Sequence, residues 1–422
     1  MNVSAHRAFS FLRTYGYERV SCSKEERTVA EALLNECTSL GVSAQLEEFT
    51  VPCGRVSHAL LRVTSPYVKE YEVTGYERAA STPEGGLDTE FLYVENADEV
   101  LLEQAKGKIV LVNGYLNRAT YEKLRKAEAA AILTFTGRTI DRESESDLNR
   151  CKLRETLTEP FGAVPVLNMR AASAAEIVRR SAKTVHIELT GECYDGTSQN
   201  VCATIPGTDK PSELITLGGH YDSVYFSSGV HDNLSGSVIV LELLRYFAAH
   251  PPRRTLRFCW FGSEEQGLLG SKAYVKAHAD ELKDCVAMLN FDVAAPTLGS
   301  NHLVTLATDD ALHYVAGVLR EAGYGVRAKQ DTYSSDCIPF ADNGVPAINL
   351  ARFGANGADY MHNRHDSLKS GYLDEHALDI TLQQGFVLLE RLANAASFPI
   401  KREIAPEIRQ KVDEYLFKAK KE

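Results

Sequence analysis

A chain of 422 residues exceeds the roughly 250–300 at which single hydrophobic cores stop growing, so two domains are the first expectation. Hydrophobic residues make up 44% and charged residues 24%, enough apolar material for a substantial core. The formal net charge of −11 argues against a nucleic-acid partner, because phosphate backbones are gripped by clustered Lys and Arg; it reads as a solvated acidic surface.

The opening residues, MNVSAHRAFSFLRTYGYERV, lack a basic stretch followed by an apolar run, and no window approaches the roughly 18 apolar residues of a membrane span. Neither an export signal nor a membrane partner is expected. The nine cysteines are scattered with no CxxC pair, and Cys259 and Cys285 fall in apolar strand-like runs, so a reduced, cytoplasmic protein is expected.

Residues 1–52 begin with helical patterns, in which Val29, Ala32, Leu33 and Leu34 recur near helical spacing and Gly41 supplies a stop, followed by the strand VSAQLEEFTV. From 53 to 190 the chain is β-rich. There GKIVLVNG, the helix TYEKLRKAEAAA and AILTFTG form a β-α-β unit, and VPVLNM and the helix ASAAEIVRRSA close the segment. The charged stretch DRESESDLNRCKLRETLTEP reads as a mobile loop. No metal-type cluster occurs in this segment, which has the look of an accessory domain.

From Gln199 strands and helices alternate: NVCATIPG, ELITLGG, helix SGSVIVLELLRYFAAH, TLRFCWFG, helix LLGSKAYVKAHA, CVAMLNFD, HLVTLAT, helix DALHYVAGVLREAG and PAINLA. Such alternation predicts an α/β fold with a mixed, mostly parallel sheet covered by helices on both faces. The amphipathic helix LDEHALDITLQQGFVLLERLANAA should cover it. Residues 401–422 form a helical tail with Ile404, Ile408, Val412 and Leu416 at i, i+4 steps, a docked surface helix or an oligomer contact, the oligomeric state being open. The catalytic domain is thus drawn as 1–52 plus 191–400, with 53–190 inserted.

Ligands of such sheets bind beyond the carboxyl ends of the strands. His220 and Asp222 follow ELITLGG, Glu264 and Glu265 follow TLRFCWFG, Asp292 follows CVAMLNF, and His362 lies in the loop DYMHNRHDSL after the last strand. Zinc prefers imidazole and carboxylate where no thiolate is offered. Two zinc ions ~3.5–4 Å apart need a bridging carboxylate and a pair of ligands each. Asp232 can bridge, with His220 and Asp292 on one ion and Glu265 and His362 on the other. Glu264, beside a ligand, is the natural general base and acid. Asp222, two residues from His220, can receive the proton on the ring nitrogen that faces away from the metal.

GGHYDS, GVHDNLSG, FGSEEQGLLGS, NFD, SSDCIPF and MHNRHDS, in this order over about residues 195–395, resemble the cocatalytic dizinc aminopeptidase family, whose catalytic domain is the exopeptidase fold shared with zinc carboxypeptidases. The resemblance implies two Zn²⁺ per subunit, peptide substrates, and the ligand and base roles at His220, Asp232, Glu264, Glu265, Asp292 and His362. It also implies a cis bond from Asp232 to Asn233. Residues 53–190 are similar to the protease-associated (PA) domain that many members carry as an insertion. Three positions depart from the family's pattern. Met361 and Asn363 flank His362 where Tyr and Thr are frequent, leaving Tyr360 as the candidate for polarising the scissile carbonyl, and Cys337 stands where histidine is common, so the pocket wall is expected to differ.

Other residues have plainer readings. His231 is taken as a packing or loop residue, His365 as the weaker rival of His362, and His250 and His278 as surface residues. Tyr225, Phe226 and Phe353 are as suited to an apolar specificity pocket as to the core. Arg352 and Arg364 read as solvent-facing, or as clamps for a substrate carboxylate. That last possibility motivates a carboxypeptidase or dipeptidase as the alternative to an aminopeptidase. An inactive binding module on a peptidase fold is the alternative of another class, and a single-zinc glutaminyl cyclase is disfavoured by the full five-ligand set.

Overall fold

The computed structural model describes residues 2–142, 148 and 150–418. Positions 143–147 and 149 of the charged stretch, and 419–422 of the tail, therefore lie outside the described residues. The chain divides into two compact units, one of Met1–Val51 with Thr197–Glu422 and one of Pro52–Gly196.

In the first unit the strand Lys210–His220 lies parallel between Arg254–Phe261 and Cys285–Phe291, and the latter is parallel to Ala347–Gly354. Antiparallel strands flank this core: residues 201–205 pair with Arg254–Phe261, and Gly299–Leu306 pairs with Ala347–Gly354. The architecture is the mixed, largely parallel α/β sheet that the alternation predicts. Phe261 pairs with His220 and Phe291 with Leu350, so the central strands end in near register and the residues after them share one edge.

The helix Ser235–Ala249 is buried on nearly every side, as expected of a helix inserted between a sheet and other helices. Its first turn is Ser-Gly-Ser. A Cβ on Gly236 would sit 2.1 Å from the Phe291 carbonyl oxygen, a backbone atom that cannot yield without moving the segment leading to Asp292. Gly236→Ala is therefore expected to cost at least the ~1–3 kcal/mol of an overpacked core. A fall in melting temperature of roughly 5–10 °C, read by circular dichroism, is the corresponding observable.

Three elements differ from expectation. Glu155–Phe161, inside the charged stretch, is a helix, because Leu157 is buried in the second unit's core. The strand expected to end near Val51 runs from Ser43 to Ser65, drawn on by the buried Leu61 and Val63. SSDCIPF contributes a six-residue helix, Cys337–Asp342, in which Pro339 occupies the first turn, where its missing N–H costs nothing. The tail forms the helix Pro406–Tyr415, whose Ile408 and Val412 are buried in the first unit's core; Tyr415 and Lys411 bond to Ser334 and Asp331.

In the second unit, Leu87–Tyr93, Ile109–Leu111, Ala131–Thr136 and Val166–Arg170 run parallel in that order, and helices Arg118–Lys126 and Ala171–Arg179 complete it. Among the described residues, no helix is long and apolar enough to cross a membrane.

Candidate active site

The carboxyl edge of the first unit's parallel strands gathers the side chains. His220 is the last residue of its strand, Asp292 directly follows Phe291, and Glu264 and Glu265 lie three and four residues beyond Phe261. Asp232 sits on the turn before the buried helix, with a cis peptide bond to Asn233. His362 comes from the loop after Ala347–Gly354, at a left-handed φ of 59°.

His220 Nε2 lies 3.1 Å from Asp232 Oδ1 and 3.7 Å from Asp292 Oδ1. His362 Nε2 lies 3.0 Å from Asp232 Oδ2 and 3.1 Å from Glu265 Oε2. Two donor triads thus share Asp232, one oxygen facing each, and among the described residues these are the two groups suited to hold a metal ion. Four of the five side chains are nearly or fully buried, whereas the His362 side chain is 53% exposed, so the hollow opens on that side. Glu264 Oε2 is 3.9 Å from His220 Nε2, close to the first triad but outside it.

The hollow is rich in negative charge. Burial opposes protonation of His220, yet Glu264 and the surrounding aspartates raise its pKa well above the ordinary imidazole range. The Glu265 charge does the same for His362. Burial raises Glu264 well above the usual carboxylate range, against the pull of His220 and helped by Glu265 and Asp336. Each imidazole position therefore favours a cation, and imidazole with carboxylate oxygen is a donor set that suits zinc.

Around the triads a frame of hydrogen bonds fixes the backbone. Asp222 Oδ1 takes both His220 Nδ1, at 3.2 Å, and the Glu264 N–H, at 3.0 Å, while its Oδ2 takes the Glu265 N–H at 3.2 Å. One carboxylate thus orients a histidine and the Glu-Glu pair together. Asp366 does the same for the bridging residue, accepting the N–H of His231 at 2.7 Å and of Asp232 at 3.0 Å. Asn233 ties the turn to the next strand, donating to Phe291 O and accepting from Val293 N and Gly236 N.

Sequence reasoning missed several of these groups. Asp366 stands in the MHNRHDS motif, whose spacing selected His362 without assigning the aspartate work of its own. Glu26, far away in sequence, accepts from Ser263 N beside the Glu pair; burial and Asp222 push it up to about 8. Asp336 is fully buried, and burial raises it to about 7. Tyr333 is raised well above its usual range by burial and by the charges of Asp292, Asp232 and Glu264, and its ring packs edge-on against Phe353. No motif announces Tyr333 or Glu26.

Other candidates fall elsewhere. The Tyr360 hydroxyl donates to Gly357 O, within its own loop, and its ring packs edge-on against Tyr372 and His365. His365 is exposed and joins neither triad. His231 is buried, bonded through Nδ1 to Ala294 O. His250 is exposed, but His278, expected at the surface, is half-buried because Glu47 and Glu281 bracket its ring. Arg352 corrects both of its readings: it is buried and donates to Pro296 O, Thr297 O and Asn301, so it neither faces solvent nor clamps a substrate. Arg364 is half-buried. Cys337 is buried, its Sγ 3.9 Å from Met288 Sδ, and so belongs to the core and not to a pocket wall. Phe353 stacks edge-on against Tyr333, Phe226 is 42% exposed, and Tyr225 is half-buried.

Residues 200–383 match the profile of Peptidase family M28. That matched stretch contains every residue of the two triads. Over a longer stretch the chain is similar to Aminopeptidase YwaD of Bacillus subtilis, 27% identical over 345 residues that cover 79% of this chain and 71% of the relative. Similarity to Leupeptin-inactivating enzyme 1 of Streptomyces exfoliatus is 36% over 190 residues, 43% of this chain and 41% of that enzyme, so the chain spans less than half of it. The same fold recurs in the solved structure of BSAP, a zinc aminopeptidase from Bacillus subtilis, with a TM-score of 0.78, 21% identity, and coverage of 96% of this chain and 99% of that one.

Proposed function

We propose that the chain is a dizinc aminopeptidase that removes N-terminal residues from peptides. The observation that carries this reading is Asp232, whose two oxygens face two separate imidazole–carboxylate pairs at 3.1 and 3.0 Å. In it, His220 and Asp292 would hold one Zn²⁺, Glu265 and His362 the other, with Asp232 offered to both. When bound, the ions supply Lewis acidity and lower the pKa of water toward neutrality.

The protein's own groups then divide the work. Glu264 takes the proton of the attacking water and returns it to the departing amine nitrogen, the task of a carboxylate beside the triads whose pKa burial raises well above the usual range. Asp222 keeps His220 in the tautomer that presents Nε2 to the hollow. Tyr360 is the candidate for polarising the carbonyl. The Tyr360 hydroxyl donates to Gly357 O, and Tyr333, whose phenol feels the charges of Asp292, Asp232 and Glu264, is the second candidate.

The second unit is proposed to be a PA-like accessory domain, on the strength of its β-α-β core. Nine free cysteines support a reducing, cytoplasmic setting, and the acidic charge supports peptide and not nucleic acid as the partner.

The carboxypeptidase and dipeptidase alternatives lose one of their two motives at Arg352, whose guanidinium is engaged by the fold, and keep the half-buried Arg364. The retained Glu264 and complete donor set weigh against an inactive module. Digestion of paired peptides separates the readings: an aminopeptidase spares the N-acetylated peptide and shortens the C-amidated one. Cleavage of the acetylated peptide together with sparing of the amidated one would reverse the assignment.

A further inference from the structure

We infer that Arg19 is a positioning residue for the metal centre, a buried guanidinium that holds the loop from Tyr221 to Gly229 in the shape that keeps His220 and Asp232 facing one another. The inference rests on the dizinc reading of this site. Sequence gave no reason to single out Arg19, which lies in an N-terminal segment that contributes no ligand.

Arg19 is completely buried, and its side chain is spent on backbone carbonyls. Nε donates to Tyr221 O at 2.7 Å, Nη1 to Ser228 O at 2.7 Å and to Tyr17 O, and Nη2 to Gly229 O at 2.8 Å. Its backbone makes a reciprocal pair with Ser223: Arg19 N donates to Ser223 Oγ at 2.8 Å, and Ser223 N to Arg19 O at 3.1 Å. The acceptors bracket the site in sequence, one directly after His220 and two just before His231 and Asp232. Burial lowers its pKa, with Asp366 and Asp222 opposing, only to about 10, so the cation persists at neutral pH.

Gly229 supplies an independent sign that this contact is built. Its φ is +51°, and a Cβ there would lie 2.5 Å from Ser223 Cβ, 2.7 Å from Asp232 O and 3.1 Å from Arg19 Nη2. The loop can wrap the guanidinium this closely only without a side chain. A lysine keeps the charge but offers three donors from a single point, where the fork of arginine reaches carbonyls on several sides. Arg19→Lys would strand at least one buried carbonyl and free the loop without changing the identity of any ligand.

The test compares the full-length wild type with R19K and with R254K, both loaded with zinc and titrated against a chelating dye. Arg254 is the control: it too is fully buried and donates to carbonyls, of Leu392 and Ala395, but it begins the strand that ends at Phe261, at the far end from the site. Outer partners of metal ligands typically change affinity ~10–100-fold, so R19K is expected to lose zinc that much more readily, with R254K within about twofold of wild type. The cobalt-loaded proteins give a readout that general destabilisation does not move: the visible absorption band shifts in R19K and not in R254K. Equal zinc affinity and an unchanged cobalt band in R19K would overturn the inference. If R19K does not fold, S223A decides, weakened zinc retention at a near-normal melting temperature supporting the inference and unchanged retention overturning it. A wild type that binds no zinc would overturn the dizinc reading itself, an outcome distinct from wild type and R19K binding equally.

Discussion

Glu264→Gln is expected to bind zinc like the wild type and to lose turnover by roughly 10²–10⁴-fold, the usual contribution of a positioned general base. That loss corresponds to about 3–5 kcal/mol of barrier. The expectation of intact metal binding follows from geometry: Glu264 lies outside both donor triads, and its N–H, which Asp222 holds, survives the substitution. The amide is nearly isosteric with the acid and cannot accept the proton. Zinc analysis of the purified variant beside steady-state hydrolysis of an aminoacyl-anilide checks both halves. Undiminished turnover would remove Glu264 from the mechanism, and lost zinc would make it a ligand.

Asp232→Asn should be more damaging still, because it alters the one side chain common to both triads. Burial alone would raise the Asp232 carboxyl, but its bonds to His220 and His362 hold it well below the ordinary range, so it presents an anion to both sides. A neutral amide cannot offer two anionic oxygens to two cations. Zinc content is expected to fall from two to at most one per chain, and activity to drop by more than the ~10–100-fold that attends loss of an outer partner. The fold should survive, since the backbone N–H of residue 232 remains held by Asp366. A variant that retains two zinc ions would show that Asp232 does not bridge.

The contrast between what sequence disclosed and what it did not has a physical basis. Alternating apolar strands and amphipathic helices identified the α/β sheet, because burial on both faces leaves its mark on every residue of an element. Chemically rare clusters such as His-x-Asp and Glu-Glu, each just after a strand, identified the residues that the structure brings into two triads. The supporting frame was silent, because it works through backbone atoms. Arg19 donates to carbonyls, Asp366 accepts from N–H groups, and Glu26 reaches Ser263 from over two hundred residues away, none of which leaves a spacing to read. The misreading of Arg352 has the same origin: an arginine satisfied by carbonyls of its own unit looks, in sequence, like one waiting for a substrate. SSDCIPF stands out as a motif but not as a helix, since the six residues Cys337–Asp342 are too few to show a period.

The central claim is that one carboxylate joins two metal ions, and zinc stoichiometry tests it most directly. Metal-free protein titrated with zinc, with bound metal counted by mass spectrometry under native conditions, should saturate at two ions per chain in the wild type and stop at no more than one in Asp232→Asn. Saturation of the wild type at a single ion, or of both proteins at the same number, would contradict it.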